Sequence, residues 1–135
     1  AMLSLTYMLT LGHAVGACHE AGLDPAIGFL HEPAWSRPGL ALDLLEPFRA
    51  SVCDRFVMQA LQREKVRPDD FTTDPENGCR FRPDAFRRFI QDFARRHAED
   101  EQPGQSLRMT LRHAARAVAR SIRDRTVELD FEEAA

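Results

Sequence analysis

Apolar residues recur at helical spacing along most of the chain. The first run extends from Leu3 to Ala21 and ends at Gly22, a residue type that readily takes the left-handed conformation found after helices. A second run extends from Gly39 to Glu64, and Pro47 inside it should either kink the helix or split it in two. The first half therefore predicts two long helical segments.

The second half predicts two more helices and a small hairpin. Pro83 suits the first turn of a helix that reaches about Ala98, and a final helix covers about Ser106 to Arg125. Between two short apolar runs, Asn77-Gly78 is a typical hairpin turn. We therefore predict an all-α fold, a single helical bundle domain of about five to seven helices with room for one short β-hairpin.

Charge is distributed unevenly along a chain whose formal net charge is −3. Residues 1–79 carry 6 basic and 11 acidic residues, residues 80–125 carry 12 arginines and 6 acidic residues, and the last ten residues add 4 acidic ones. A basic block inside an acidic protein fits a polyanion such as DNA, although arginine-rich helices are commonly just solvated. Nucleic-acid binding is therefore a hypothesis that composition alone does not decide.

Neither the cysteines nor the hydropathy indicates secretion or a membrane. The three cysteines form no Cys-x-x-Cys pair, which fits neither a disulfide framework nor a thiolate zinc site. Thr6, Thr10 and Glu20 interrupt the first apolar run at positions that would lie in lipid, and no signal peptide precedes it. We expect a cytoplasmic protein with no membrane partner, and a chain that starts directly in a core helix is expected to be a fragment.

The residues best suited to chemistry are His31 and the acidic residues near Pro47. Asp43, Glu46 and Arg49 follow one another at intervals of three, so a helix would project them from one side. Carboxylates beside an apolar face need an ionic partner or a metal, and a carboxylate with an imidazole suits Mn²⁺ or Mg²⁺. From spacing alone, an ordinary ion pair of Asp43 or Glu46 with Arg37 or Arg49 is the simpler interpretation.

Two blocks in fixed register resemble the signature of the CRISPR-associated integrase family, the first adaptation protein of CRISPR systems. They are Gly28-Phe29-Leu30-His31-Glu32-Pro33 followed by Arg37-Pro38, and Leu40-Ala41-Leu42-Asp43-Leu44-Leu45-Glu46-Pro47-Phe48-Arg49. The first helix and the Ala21-Gly22-Leu23-Asp24-Pro25 turn after it are also similar to that family. The resemblance covers the first half of the chain well and the arginine-rich remainder loosely.

The resemblance implies a catalytic site that binds Mn²⁺ or Mg²⁺ through a glutamate, a histidine and a second acid. His31 matches the histidine and Glu46 the second acid, both as metal ligands, and Asp43 matches a supporting acidic position beside the metal. The family's first glutamate lies before the first helix, so no residue here is assigned to it. Residues 1–135 would then be the C-terminal helical catalytic domain, without the N-terminal β-rich domain.

The resemblance also implies partners and a reaction. The partners would be double-stranded DNA from the prespacer and the CRISPR array, a companion small adaptation protein, and a second copy in the full-length homodimer, all in a prokaryotic cytoplasm. A metal held by a carboxylate and an imidazole can assist attack of a DNA 3′-hydroxyl on a phosphodiester without a covalent protein intermediate. A fragment without the first glutamate is expected to be inactive alone.

Four arginines recur every four residues along the final predicted helix and would form one basic stripe opposite its apolar face. Like charges at this spacing cost stability unless phosphates or acidic side chains neutralise them. DNA contact and a solvated or ion-paired face both stay open. The predicted DNA-binding residues are Arg37, Arg49, Arg108, Arg112, Arg116 and Arg120.

Three hypotheses follow. The chain is the catalytic domain of a metal-dependent DNA integrase and endonuclease, or a DNA-binding or assembly module that kept the fold without the chemistry. Otherwise it is an unrelated helical protein in which Asp43 and Glu46 only form ion pairs, and His31 is an ordinary loop histidine.

Overall fold

A computed structural model describes residues 1–31, 37–97 and 106–124 of the chain. Its α-helices are α1 (Met2–Glu20), α2 (Gly39–Leu45), α3 (Arg55–Gln62), α4 (Pro83–Arg96) and α5 (Leu107–Asp124). Strands β1 (Phe71–Asp74) and β2 (Gly78–Phe81) pair in an antiparallel hairpin, with Phe71 opposite Phe81. The predicted all-α fold with a short β-hairpin is therefore confirmed.

The inner face of α1 is made of small side chains. Thr6, Thr10, Ala14 and Cys18 are buried on it, and the Thr10 hydroxyl donates to the carbonyl of Thr6 at 2.8 Å. Because the hydroxyl finds its acceptor inside its own helix, it can be buried without water. Short side chains also let α2 and α5 approach α1 closely, and both helices pack against it.

The second predicted helix is split, which was one of the two outcomes expected at Pro47. After α2, a 3₁₀ turn (Glu46–Phe48) contains the proline, and a π-helical segment (Arg49–Asp54) leads into α3. Proline has no N–H to continue the α-helical ladder, and a π-helical turn inserts one extra residue per hydrogen-bonded ring. The insertion changes which side chains after Pro47 share a face.

Aromatic rings of α3 and α4 and apolar side chains of α5 belong to the same hydrophobic core. Phe56 of α3 packs edge-on against Phe89 and Phe93 of α4, with ring centroids 5.3 and 5.1 Å away. The apolar spacing of the last helix predicts that Leu107, Leu111, Ala114, Val118 and Ile122 face inward. The first four are buried, whereas Ile122 is 65% exposed, so the prediction for Ile122 was wrong. Arg123 and Asp124 beside it are exposed too.

Within the described ranges, no helix combines the length and the apolar character that crossing a bilayer would need.

Candidate metal centre and nucleic-acid interface

Two glycines, Gly28 and Gly39, allow the loop before His31 to lie directly against the start of α2. A Cβ placed on Gly28 would lie 2.8 Å from the carbonyl carbon of Gly39 and 2.7 Å from Oδ2 of Asp43. The N–H of Leu40 donates to the carbonyl of Pro25 at 2.9 Å and fastens the same loop to the helix. Only glycine leaves room for this approach, so the Gly28 that opens the sequence motif has a steric reason to be there.

Asp43 is the buried anchor of the site. Its side chain is fully buried, and Oδ2 accepts hydrogen bonds from the N–H of Phe29 at 2.7 Å and of Leu30 at 3.0 Å. Its other oxygen, Oδ1, lies 2.5 Å from Nδ1 of His31. The carboxylate therefore fixes both the backbone of the loop and the ring of the histidine.

The electrostatics of Asp43 follow from these contacts. Burial alone would raise the pKa of its carboxyl, but the hydrogen bonds from Leu30, His31 and Phe29 favour the charged form and lower the pKa below its ordinary value of 3.8. Stabilisation from the charged carboxylate is thus fully present above that ordinary value and is lost as the pH falls through the lower folded pKa.

Asp43 also determines which ring nitrogen of His31 keeps a lone pair free for another partner. A carboxylate beside Nδ1 accepts a hydrogen bond from an N–H at that position, so we assign the Nδ1–H tautomer, which leaves the lone pair of Nε2 free. The His31 side chain is 27% exposed, so solvent and ions reach it. A carboxylate behind a histidine is the usual support of a metal-binding imidazole.

Glu46 lies one helical turn after Asp43 but in a different environment. Its side chain is half exposed, and Nη1 of Arg49 donates to Oε1 at 3.1 Å and to Oε2 at 3.0 Å. The ion pair that spacing suggested for Glu46 is therefore present. The carboxylate of Asp43 instead pairs with His31 and is fully buried.

The donor set fits a divalent metal in part. His31 offers a free Nε2 and Glu46 an accessible carboxylate, which are the ligand types that Mn²⁺ accepts. Among the residues that the structure describes, no group of three or more histidine, cysteine or acidic side chains is placed to hold a metal ion. Glu32 to Ser36 of the sequence motif lie outside the described residues.

The predicted DNA-binding arginines divide into two sets. On α5, Arg112 donates to both oxygens of Glu20, through Nε at 2.5 Å and Nη2 at 3.1 Å, and Arg108 lies 3.7 Å from the same carboxylate. Arg116 and Arg120 are exposed further along the helix, and so is Arg37 before α2. An acidic side chain, Glu20, therefore neutralises the first two arginines of the stripe, Arg108 and Arg112.

Sequence reasoning missed two residues near the site, Tyr7 and Asp54. The Tyr7 hydroxyl donates to Oδ1 of Asp54 at 2.6 Å, and the guanidinium carbon of Arg49 lies 4.7 Å from the centre of the Tyr7 ring. A regular α-helix turns by 3.6 residues, so Arg49 and Asp54 would have been assigned to different faces. The π-helical segment brings Arg49 and Asp54 to the same side. No sequence pattern predicts such a segment.

The chain is thus a helical domain in which the buried carboxylate of Asp43 orients the accessible imidazole of His31, with the exposed Glu46 one turn further along. The family model of "CRISPR associated protein Cas1" matches residues 1–95. The chain belongs to this family, and the resemblance found in the two sequence blocks is thereby confirmed.

Curated relatives agree with this assignment. A "CRISPR-associated exonuclease Cas4/endonuclease Cas1 fusion" of Geobacter sulfurreducens is 38% identical over 100 residues, covering 74% of this chain and 18% of that protein. A "CRISPR-associated endonuclease Cas1" of Leptospira interrogans is 35% identical over 100 residues, covering 74% of this chain and 39% of that protein. The chain thus spans well under half the length of these relatives.

Solved structures show the same fold. A "Casposase bound to integration product" superposes with a TM-score of 0.82 at 28% identity, covering 96% of this chain and 37% of that chain. A Cas1 protein from Thermotoga maritima superposes with a TM-score of 0.81 at 21% identity, covering 90% of this chain and 38% of that chain. Because its sequence identity is only 21%, the second comparison supports the fold alone.

Proposed function

We propose that this chain is the catalytic helical part of a divalent-metal-dependent DNA endonuclease and integrase that inserts prespacer DNA into a CRISPR array. The observation that carries the proposal is the pair of Asp43 and His31, in which a buried carboxylate orients an accessible imidazole. Membership of the Cas1 family and relatives named endonucleases support it.

The role proposed for each residue follows from how buried its side chain is. His31 and Glu46 would hold Mn²⁺ or Mg²⁺, and Asp43 would hold Nδ1 of His31, which leaves Nε2 as the ring nitrogen available to the metal. When bound, the cation would polarise a DNA phosphodiester and stabilise the attacking 3′-hydroxyl as an alkoxide. A further ligand would come from the part of the protein that relatives possess beyond this chain.

DNA is the proposed substrate and partner. The casposase, a structure 28% identical in sequence, was solved with its integration product, which supports a DNA substrate for the present fold as well. Arg116, Arg120 and Arg37 are exposed and suited to phosphate contacts. The companion small adaptation protein, the homodimer of the full-length protein and the cytoplasmic location stay predictions.

The central experiment is strand transfer by the complete protein, with a 3′-hydroxyl DNA end, array DNA and Mn²⁺. Glu46→Gln keeps the size of the side chain and removes its charge, and should lower the rate by about 100-fold or more with little loss of folding. Glu76→Gln, an identical change in the exposed turn between β1 and β2, is the matched control and should leave the rate unchanged. A fully active Glu46→Gln protein would contradict the proposed metal ligand.

A DNA-binding or assembly module without chemistry is the second candidate. The exposed arginines of α5 favour it, because they would serve phosphate binding whether or not a metal site is complete. It predicts that the complete protein binds array DNA but shows no Mn²⁺-dependent strand transfer. Under the first proposal both properties are present, and Glu46→Gln removes only the second.

A further inference from the structure

Four side chains from three segments form a continuous chain of contacts that ends on Glu46. The guanidinium of Arg49 donates to both oxygens of Glu46, at 3.1 and 3.0 Å, and lies over the ring of Tyr7, 4.7 Å from the ring centre. The hydroxyl of Tyr7 in turn donates to Asp54 at 2.6 Å. The carboxylate assigned to the metal already has a resident cation.

The backbone after Pro47 is what assembles this network. Arg49 and Asp54 are the first and last residues of the π-helical segment, and the segment packs against α1, which carries Tyr7. In a π-helix the hydrogen bonds join residues five apart, so the two ends of this segment return to the same side. Such segments are frequent at functional sites, because they move selected side chains without unfolding the helix.

Tyr7 changes what would otherwise be a weak contact. The side chains of Arg49 and Glu46 are 43% and 50% exposed, and a pair this exposed forms and breaks freely. An aromatic ring under the guanidinium restricts it and adds a cation–π attraction. The hydrogen bond from the Tyr7 hydroxyl to Asp54 holds the ring in place, and it also raises the pKa of the phenol.

We propose that Arg49 is a resident counter-ion of Glu46, held by Tyr7 and Asp54, which a divalent cation must displace before Glu46 can bind it. This inference rests on the proposed function, because it gives Glu46 the role of a metal ligand. Once displaced from Glu46, the guanidinium would stay on the Tyr7 ring. Tyr7 and Asp54 are thus positioning residues that act through Arg49.

Two like charges beside one carboxylate repel, so removing Arg49 should strengthen metal binding. The test is an NMR titration of the chain with Mn²⁺, which reports even weak binding through paramagnetic broadening. The backbone amides of Phe29 and Leu30 are the reporters, because both donate to Asp43 beside His31. Arg49→Gln should lower the Mn²⁺ concentration at half-broadening by about 3- to 10-fold, and Tyr7→Leu by about 2-fold.

Arg63→Gln is the matched control, since it removes the same charge from an exposed position just after α3. Arg63→Gln should leave the Mn²⁺ concentration at half-broadening unchanged. If broadening persists in Arg49→Gln but the Mn²⁺ concentration at half-broadening is unchanged or higher, Arg49 is not a counter-ion of Glu46. The proposed metal site would still hold. Absence of selective broadening in the unaltered chain overturns the metal site and its counter-ion together.

A measurement without metal tests the holding role by itself. The Tyr7 ring should shift the Nε–H signal of Arg49 away from those of exposed arginines, and Tyr7→Leu should return it to their position. Thermal unfolding of the same variants shows whether the fold is retained. An Arg49 signal that coincides with the exposed arginines in the unaltered chain overturns the proposal.

Discussion

Two histidines of this chain lie in opposite kinds of environment. His31 is partly exposed and pairs through Nδ1 with a buried carboxylate, at 2.5 Å from Asp43. His97 lies against the rings of Phe93 and Phe56, with centroids 4.6 and 6.1 Å away, and its buried Nε2 has no hydrogen-bond partner among the described residues. The same side chain therefore pairs with a buried carboxylate in one place and packs against core aromatic rings in the other.

The difference shows what prepares an imidazole for chemistry. A carboxylate at one ring nitrogen sets the tautomer and leaves the other nitrogen free toward solvent. Burial without a partner instead disfavours the charged form, and together with the charges of Arg96 and His13 it lowers the pKa of His97 to about 4. A strongly shifted pKa is thus found at the histidine that has no proposed role.

Loss of the anchoring carboxylate should have the largest effect. Asp43→Ala removes a buried carboxylate that three donors share as their acceptor, and should lower the free energy of unfolding by about 3–5 kcal/mol. Chemical denaturation measures it. Asp43→Asn keeps the shape and should cost less, about 1–2 kcal/mol. Equal losses in the two variants would mean that the charge, and not the set of hydrogen bonds, holds the loop.

His97 should dominate the pH dependence of stability on the acidic side. Its folded pKa of about 4 lies below the ordinary value of 6.5, so its contribution is complete above pH 6.5 and is lost as the pH falls toward 4. The loss should be about 2–3 kcal/mol. The free energy of unfolding measured between these pH values should depend less steeply on pH in His97→Phe, which removes this imidazole and keeps His13. Parallel slopes would contradict the assignment.

The close approach of the loop to α2 should give an intermediate effect. Gly28→Ala forces a Cβ against Asp43 and the Gly39 backbone, and should lower stability by about 1–3 kcal/mol. Gly12→Ala, in the middle of α1, meets nothing within 4 Å and should raise stability by about 0.5–1 kcal/mol. Thermal unfolding of both variants checks the opposite signs. A neutral Gly28→Ala would show that the loop can move away without cost.

An exposed charge pair should give the smallest effect. Arg112→Gln breaks the contact with Glu20, whose side chain is 40% exposed, and should change stability by less than about 1 kcal/mol. Arg116→Gln, one turn further on α5, should leave stability unchanged and reduce the salt dependence of DNA binding in the complete protein by about one phosphate contact. A larger change for Arg112→Gln would place Glu20 among the structural anchors.

Much of the fold was predictable because it depends on local patterns. Helix α1, the turn at Gly22 and the hairpin at Asn77-Gly78 follow from spacing and turn chemistry, and Gly22 and Gly78 have the positive φ values of 74° and 66°. The role of Pro47 was predicted as a choice between kink and split. The kind of break was not, because a π-helical segment depends on packing against α1 rather than on its own sequence.

The candidate site was predictable in its residues and not in their relations. His31, Asp43 and Glu46 were named, but helical spacing assigned Asp43 and Glu46 the same surroundings. In the structure the loop covers Asp43 and leaves Glu46 exposed. The partners of Asp43 include two backbone amides, which no side-chain pattern can reveal, and Tyr7 is separated from Asp54 by 47 residues.

The tautomer of His31 tests the central claim most directly. Nitrogen-15 NMR of the ring at pH 8 separates a protonated from an unprotonated nitrogen in the neutral imidazole. We expect a proton on Nδ1, an unprotonated Nε2 whose signal Mn²⁺ broadens selectively, and a shift toward the Nε2–H form in Asp43→Asn. A proton on Nε2 in the unaltered chain, with no effect of Mn²⁺, would contradict Asp43 as the support of a metal-binding histidine.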